Sequence, residues 1–187
     1  MLSAVLDACV LYPAPIRDVL LSVAAEGCYL PFWSHSIHNE WQRNLLENRK
    51  DLNQEQLNNT ASIMDRSFRS ANVNDFHHLV DSLTLPDAKD SHVLALAIRV
   101  EAQFIVTNNL KDFPKENLDQ YNIKSITADD FLSEIFKQSE ELVLEGLRRQ
   151  RKRLKSPPKS QAELIEALDN SGLTEFSKLL REKVESI

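Results

Sequence analysis

The sequence predicts an α/β fold that carries a helical extension at its C-terminal end. Two observations predict it. Short apolar runs of strand length alternate with longer runs of helical period, and the chain opens as β-α-β-α. Past about residue 128 only helical patterns remain. The 187 residues suffice for one domain with a full core and a small appendage.

A first strand is predicted over about residues 3–7. Pro13 and Pro15 then suit the start of a helix whose apolar residues Ile16, Val19, Leu20, Val23 and Ala24 follow the i, i+3, i+4, i+7, i+8 pattern. Gly27 suits its end. Tyr29–Trp33 reads as a second short strand, at an edge or a bulge because of Pro31. Ser34 or Ser36 caps the next helix, about 36–48. The middle is helical, with stripes Leu57-Ala61-Met64-Phe68 and Phe76-Leu79-Val80-Leu83. Pro86 breaks the chain, and Asp87 or Asp90 caps a helix running to about Ala102. Its interior is apolar almost all round, as befits a helix packed on a sheet.

A strand at 103–107, a turn at 108–114 and a short strand near 123–126 come next. Thr127–Asp130 resembles a capping box, with Asp in the place of the usual Glu or Gln. The helix it opens is expected to run on into a basic stretch, until Ser156-Pro157-Pro158 stops it. Ser160–Glu163 is a second capping box, for a helix ending before Gly172, and a last helix uses Phe176, Leu179, Leu180 and Val184. The division is placed at residues 1–133 for the main domain and 134–187 for the extension. That tail is too small to fold alone and is expected to pack on the main domain or on a partner.

Composition narrows the class. The chain is 42% apolar and 27% charged, as in ordinary globular proteins. No apolar run approaches the roughly 18 residues of a membrane span. No basic stretch precedes the first apolar run, which argues against a signal peptide. Cys9 and Cys28 show neither metal-site spacing nor a disulfide framework, and are read as reduced thiols of a cytoplasmic protein. The net charge of −6 speaks against general affinity for nucleic acid. Its distribution points the other way. Between Gly146 and Ala162 lie Arg148, Arg149, Arg151, Lys152, Arg153, Lys155 and Lys159, with no acid among them. The run is either a track for a phosphate backbone or a solvated helix face.

Four acids stand out. Asp7 follows Ala4-Val5-Leu6 at the carboxyl end of the first strand, where ligands bind in open α/β sheets. Glu40 shares one helix face with Ile37, Trp41, Asn44 and Leu45, and a carboxylate on a buried face is costly unless paired or coordinated. Asp90 opens the apolar helix, and Asp112 lies in the turn after the strand ending at Thr107. Each has an ordinary structural reading, as cap, stripe edge or turn residue. Together they form an oxygen-only set suited to hard divalent cations, which hydrolyse phosphodiesters. His35 with His38, and His77 with His78, lack the further ligands of a zinc site. There is no Gly-rich phosphate loop, nucleophile elbow or dinucleotide fingerprint.

On these pieces the chain resembles the PIN-domain ribonucleases: Val5-Leu-Asp7, Glu40 on the second helix, Asp90-Ser-His-Val-Leu-Ala-Leu-Ala97, and Ile105-Val-Thr-Asn-Asn-Leu-Lys-Asp-Phe113. The branch it most resembles is the VapC type, toxins of bacterial toxin–antitoxin pairs, in a subgroup with a helical C-terminal extension. The resemblance implies a three-layer α/β/α fold with a mostly parallel sheet, Mg²⁺- or Mn²⁺-dependent cleavage of RNA, and a small cognate antitoxin; a homodimer is compatible with it. It places Asp7, Glu40, Asp90 and Asp112 at the catalytic, metal-ligating positions, with Thr107 and Asn109 behind them. Two positions depart from the pattern. Asn109 stands where many relatives carry Asp, and Cys9 where they often carry a small polar residue. Arg148, Arg149, Arg151, Lys152, Arg153 and Lys155 would track the RNA. An antitoxin would cover the stripes Ile37–Trp41 and Leu57–Phe68, expected to be partly exposed. Two other readings stay open: a PIN-fold RNA-processing nuclease without an antitoxin, and a PIN-fold interaction module with a weak site.

Overall fold

The computed structural model describes residues 1–187. Four short strands, β1 (Ser3–Leu6), β2 (Leu30–Phe32), β3 (Phe104–Val106) and β4 (Lys124–Ile126), form one sheet in the order β2-β1-β3-β4. Every pairing is parallel, with Val5 opposite Phe32 on one side and Ile105 on the other. The central strands are apolar throughout, and Ala4, Val5, Leu6, Ile105 and Val106 are fully buried, as parallel strands require. β2 lies at an edge, where a proline is tolerated, and there Pro31 stands opposite Ala4. Strand order reverses at β1: β2 is laid down on one side of it and β3 on the other. The carboxyl ends of β1 and β3 therefore form the topological switch point of the sheet.

The chain packs as two compact units that are not linear segments. The first gathers Leu2–Tyr12 with Leu30–Ile126 and contains the sheet. Its helices, numbered in chain order, are α1 (Ala8–Leu11), α3 (His35–Asn48), α4 (Gln54–Ser67), α5 (His77–Val80), α6 (Ser91–Arg99) and α7 (Lys115–Leu118). α6 packs on β1 and β3 through an apolar interior, with Val93, Leu94, Ala95, Leu96 and Ala97 buried. Ser34, not Ser36, caps α3, its hydroxyl accepting from Ile37 N–H at 3.2 Å. Asn53 and Gln56 form a reciprocal capping box on α4.

Three expectations need correction. The stripe at residues 76–83 is helical only over His77–Val80. The helix after Asp90 ends at Arg99, since Glu101 turns the chain with φ of 51°. The stripes of α3 and α4, expected to be partly exposed, are mostly buried: Ile37 and Trp41 fully, and Leu57, Ala61 and Met64 nearly so, while Phe68 is half-buried.

A polar network ties α3 and α4 to the segments beside β2. The Asp65 carboxylate accepts from Trp33 Nε1 at 2.8 Å and from Asn72 Nδ2 at 2.9 Å. Its Oδ1 also lies 3.1 Å from His38 Nε2. Trp41 Nε1 donates to His38 Nδ1 at 3.0 Å, so a neutral His38 must carry its proton on Nε2 and give it to Asp65. Burial raises the Asp65 pKa, but the bonds from Trp33, Asn72 and His38 outweigh it and leave the group below its ordinary value.

The second unit gathers Met1, Pro13–Tyr29 and Thr127–Ile187. It holds α2 (Ala14–Ala25), α8 (Ala128–Gln138), α9 (Glu140–Arg153), α10 (Gln161–Asn170) and α11 (Thr174–Arg181). The helix opened by Thr127 does not run into the basic stretch; it breaks at Ser139, and α9 begins afresh. Asp130 accepts from the Thr127 hydroxyl at 2.8 Å, so the box found where Glu or Gln is usual does not form with Asp. α2 and α9 cross at Gly146, where an added Cβ would lie 2.9 Å from the Ser22 carbonyl oxygen. Asp129 accepts the first amides of α11, from Glu175 at 2.9 Å and Phe176 at 2.8 Å. The tail thus packs on α2 and α8.

Three of the seven cations of the basic run are engaged inside this unit. Arg149 pairs with Glu145 at 2.9 Å and with Glu26 at 3.2 Å. Arg148 pairs with Glu145 at 3.1 Å and donates to the Ser186 carbonyl at 2.6 Å. Arg153 donates to Ser22 Oγ at 2.9 Å. Lys152, Lys155 and Lys159 make no ion pair.

Replacing Asp65 by Ala strands the Trp33 and His38 donors and should cost about 2 kcal/mol of stability. The substitution Ile63→Ala on the same helix, at a side chain 48% exposed, should change stability by less than about 0.5 kcal/mol. Urea denaturation of the two variants against wild type measures both.

Candidate active site

All four acids expected from the sequence lie in the unit that holds the sheet. Asp7 follows β1 and caps α1: its Oδ1 accepts from Ala8 N–H at 2.7 Å. The other oxygen accepts from the Thr107 hydroxyl at 2.7 Å and from the Cys9 thiol at 3.2 Å. Thr107 follows β3, so the parallel pairing of β1 with β3 is what sets this bond. Thr107 Oγ in turn accepts from Asn109 N–H at 3.0 Å, which fixes the turn after β3. Asp7 is only 5% exposed. Burial raises its pKa first and the charge of Glu40 adds to this, while the bonds from Thr107, Cys9 and Ala8 pull it back down.

Asp90 ends the 3-10 turn Ala88–Asp90 and leads into α6. The cap of that turn is Asp87, whose side chain accepts from Lys89 N–H at 2.9 Å. Asp90 makes no capping bond, so its carboxylate is not taken up by the start of α6. Its pKa is raised to about 6, by burial first and then by the charges of Asp7, Asp87, Asp112 and Glu40. This mutual repulsion is the clearest sign that the four acids share one neighbourhood. Asp112 sits in the 3-10 turn Leu110–Asp112 after β3 and is half-buried. Glu40 stands at the edge of the α3 stripe, its side chain one-third exposed (33%), with His92 Nε2 3.6 Å from Oε2. Asn109 is exposed.

Three neighbours were not among the expected site residues. His92, on the first turn of α6, faces Glu40, and its buried Nδ1 has no partner. A polar residue in the first turn of an otherwise apolar helix was the available signal. Asp87 adds charge to Asp90. Cys9 bonds to Asp7 and Thr107, and burial, with the Asp7 charge, pushes its thiol up to about 12. Cys9 is therefore a neutral hydrogen-bonding group here, not a nucleophile. His38 belongs to the Asp65 network, and His77 and His78 are exposed.

The donor set is all oxygen, and its charges act on one another at Asp90, which suits a hard divalent cation. The set is open. No three carboxylate, imidazole or thiol groups are gathered closely enough to hold an ion as they stand. The charges of Asp7, Asp112 and Glu40 all reach Asp90.

Comparison with known proteins gives two family matches. Residues 3–111 match the PIN domain family, and residues 128–182 match the VapC50 C-terminal domain family. A protein of Mycobacterium tuberculosis (strain ATCC 25618 / H37Rv) named "Putative ribonuclease VapC50" is 44% identical over 62 residues. That match covers 32% of this chain and 37% of the relative's length. No solved structure matches significantly. No helix is long and apolar enough to cross a membrane.

The raised pKa of Asp90 has a stability consequence. Below the unfolded value near 3.8 the carboxyl is neutral in both states; as pH rises to about 6 the unfolded chain releases the proton while the folded one keeps it. This group's contribution is therefore full in acid and lost as pH rises through about 6. With a chelator present, the stability of wild type relative to the Asp90→Asn variant should fall between about pH 4 and pH 6.5 and then level off. Thermal melts across that range measure it.

Proposed function

Because the chain belongs to the PIN-domain family, we propose that it is a metal-dependent endoribonuclease, acting as the toxin of a toxin–antitoxin pair. The observation that carries this reading is Asp90, whose pKa is driven up to about 6 by burial and by the surrounding acids at the switch point of a parallel sheet. In this proposal Asp7, Asp90 and Asp112 hold a Mg²⁺ or Mn²⁺ ion. Bound there, the ion would supply Lewis acidity toward a phosphate oxygen and lower the pKa of a water molecule.

The chain's own residues do the rest. Thr107 fixes the rotamer of Asp7 and, by donating to its carboxylate, opposes the upward push of burial on its pKa. Glu40 sits at the open rim, where it orients a water for attack on phosphorus in line with the departing ribose oxygen. As the new P–O bond forms, the old one breaks; the water gives up one proton and the departing ribose oxygen takes one up. Asn109 retains the backbone bond that shapes the turn but brings no charge, so the site is less acidic than one with Asp there.

The toxin role rests on the match of residues 128–182 to the VapC50 C-terminal domain, and on the relative whose name contains ribonuclease. It brings with it an antitoxin partner, compatible with a homodimer, and a cytoplasmic setting. The open spacing of the acids favours one competing reading, a PIN-fold interaction module with a weak site.

Asp7→Asn and Asp90→Asn should lower RNA cleavage at least about a hundredfold while the proteins stay folded, since even groups behind the ligands are worth about 10–100-fold. Expression of wild type alone should slow growth, expression of Asp7→Asn should not, and the adjacent small gene should restore growth and co-purify. Equal harmlessness of the two chains would leave the processing nuclease as the better account.

Millimolar Mn²⁺ or Mg²⁺ should raise the melting temperature, because only the folded chain gathers the carboxylates. At a hundredfold excess over Kd the gain is about 2.7 kcal/mol. Asp90→Asn should lose most of it. An unshifted melt in wild type would favour the interaction module.

A further inference from the structure

Two cavities open along the outer face of α3. One, of about 370 Å³, is lined by Ser36, Asn39, Glu40, Arg43, Lys89 and His92. The other, of about 520 Å³, continues from Asn39 and Arg43 to Lys50 and Gln54. Because both include Asn39 and Arg43, they form one groove. It starts at the acid site, since Glu40 is in its wall and Lys89 adjoins Asp90 in sequence. From Glu40 to the helix end at Asn48 the rise gives about 12 Å, and Lys50 lies just beyond that end.

The cations of this groove differ from those of the C-terminal run. Arg43, Lys50 and Lys89 are exposed and form no ion pair, whereas Arg148, Arg149 and Arg153 are engaged with Glu145, Glu26, Ser186 and Ser22. A free guanidinium one helical turn beyond Glu40 is a phosphate receptor next to a phosphodiester-cleaving centre. The buried Nδ1 of His92, without a partner, lies in the wall of the same groove residue set. Glu47 is also in the wall, and a carboxylate there meets base amino groups rather than phosphate.

We propose that this groove is the track of the RNA substrate: a single strand lies along the outer face of α3, with Arg43 holding the phosphate next to the scissile one, Lys89 on the near side and Lys50 on the far side. The proposal rests on the ribonuclease reading for the position of the scissile bond. It assigns strand binding to α3, not to the basic run of α9. The groove is open and shallow, which suits an unpaired strand with accessible bases.

The test is RNA affinity against salt, in the Asp7→Asn background with Mg²⁺ present, using a fluorescent single-stranded oligonucleotide of mixed sequence. Arg43→Gln should weaken binding about fivefold at 0.1 M salt and flatten the log–log salt slope by about 0.7, the value for one lost phosphate contact. Arg43→Gln with Lys50→Gln should lose about twenty-fivefold and flatten the slope by about 1.4. Lys152→Gln with Lys155→Gln should leave the slope as it was. Circular dichroism in the same background checks the fold, and melting of the same substitutions in a chain that keeps Asp7 checks that they leave the Mn²⁺ response intact. Unchanged slopes in the α3 variants, with flattening in the Lys152 and Lys155 variant, would overturn the proposal, as would an absence of RNA binding; the groove would then be left to an acidic protein segment. Flattened slopes in a chain that cuts no RNA would uphold the track and overturn the ribonuclease reading instead.

Discussion

The site depends on the parallel pairing of β1 with β3. These strands are separated by almost a hundred residues of chain, yet their register puts Leu6 beside Val106, so that Asp7 and Thr107 leave the sheet together. The Thr107 hydroxyl then bonds the Asp7 carboxylate at 2.7 Å in a fully buried position. Without that bond Asp7 would be a buried acid held only by its capping amide and a weak thiol donor. With it, Asp7 stays fixed while burial and Glu40 press it toward the neutral form. The register of β1 on β3 is what keeps this pair together: a shift of one residue would reverse every side chain and turn Asp7 away from Thr107.

Strand-end acids were legible from sequence because the cues are local. An apolar run of three followed by Asp, or by Thr, needs no knowledge of what lies opposite. Glu40 was legible by its place among Ile37, Trp41 and Leu45, although the structure sets it at the stripe's edge. Asp90 was ambiguous between cap and site. The structure separates the roles by a short 3-10 turn that only backbone geometry reveals: Asp87 caps it, and Asp90 is released. His92 was missed because its relevance lies in a contact with a different helix.

The basic run shows the opposite failure. Seven cations without an acid look like a surface built for phosphate, but sequence proximity hides the acids that meet them. Glu26 is more than a hundred residues away from Arg149 and pairs with it at 3.2 Å. Gly146 lets the helices approach closely enough for such pairs, its absent Cβ leaving room for the Ser22 carbonyl. A charge run read along the chain overstates the free charge wherever a second helix packs on it. The partly exposed stripes expected on α3 and α4 are mostly buried for a related reason. Their apolar faces meet within one unit, and the Asp65 network locks them there.

Free charge, not total charge, therefore describes this chain's electrostatics. Its −6 net charge contains acids that repel each other around Asp90 and acids spent on Arg148, Arg149, Arg99 and Arg181. The first group is strained and the second is satisfied. Only strained acids have reason to take up an external cation, because the gain is the repulsion relieved. The same distinction applies to the bases. A guanidinium already held by two carboxylates must give up those bonds before it can bind phosphate, and at an exposed site each is worth at most about 1 kcal/mol. Arg43, Lys50 and Lys89 carry no such cost. α3 presents Glu40 and Arg43 one turn apart, so on the proposed track a single helix would contribute both the charge that repels a phosphate strand and the charge that attracts it.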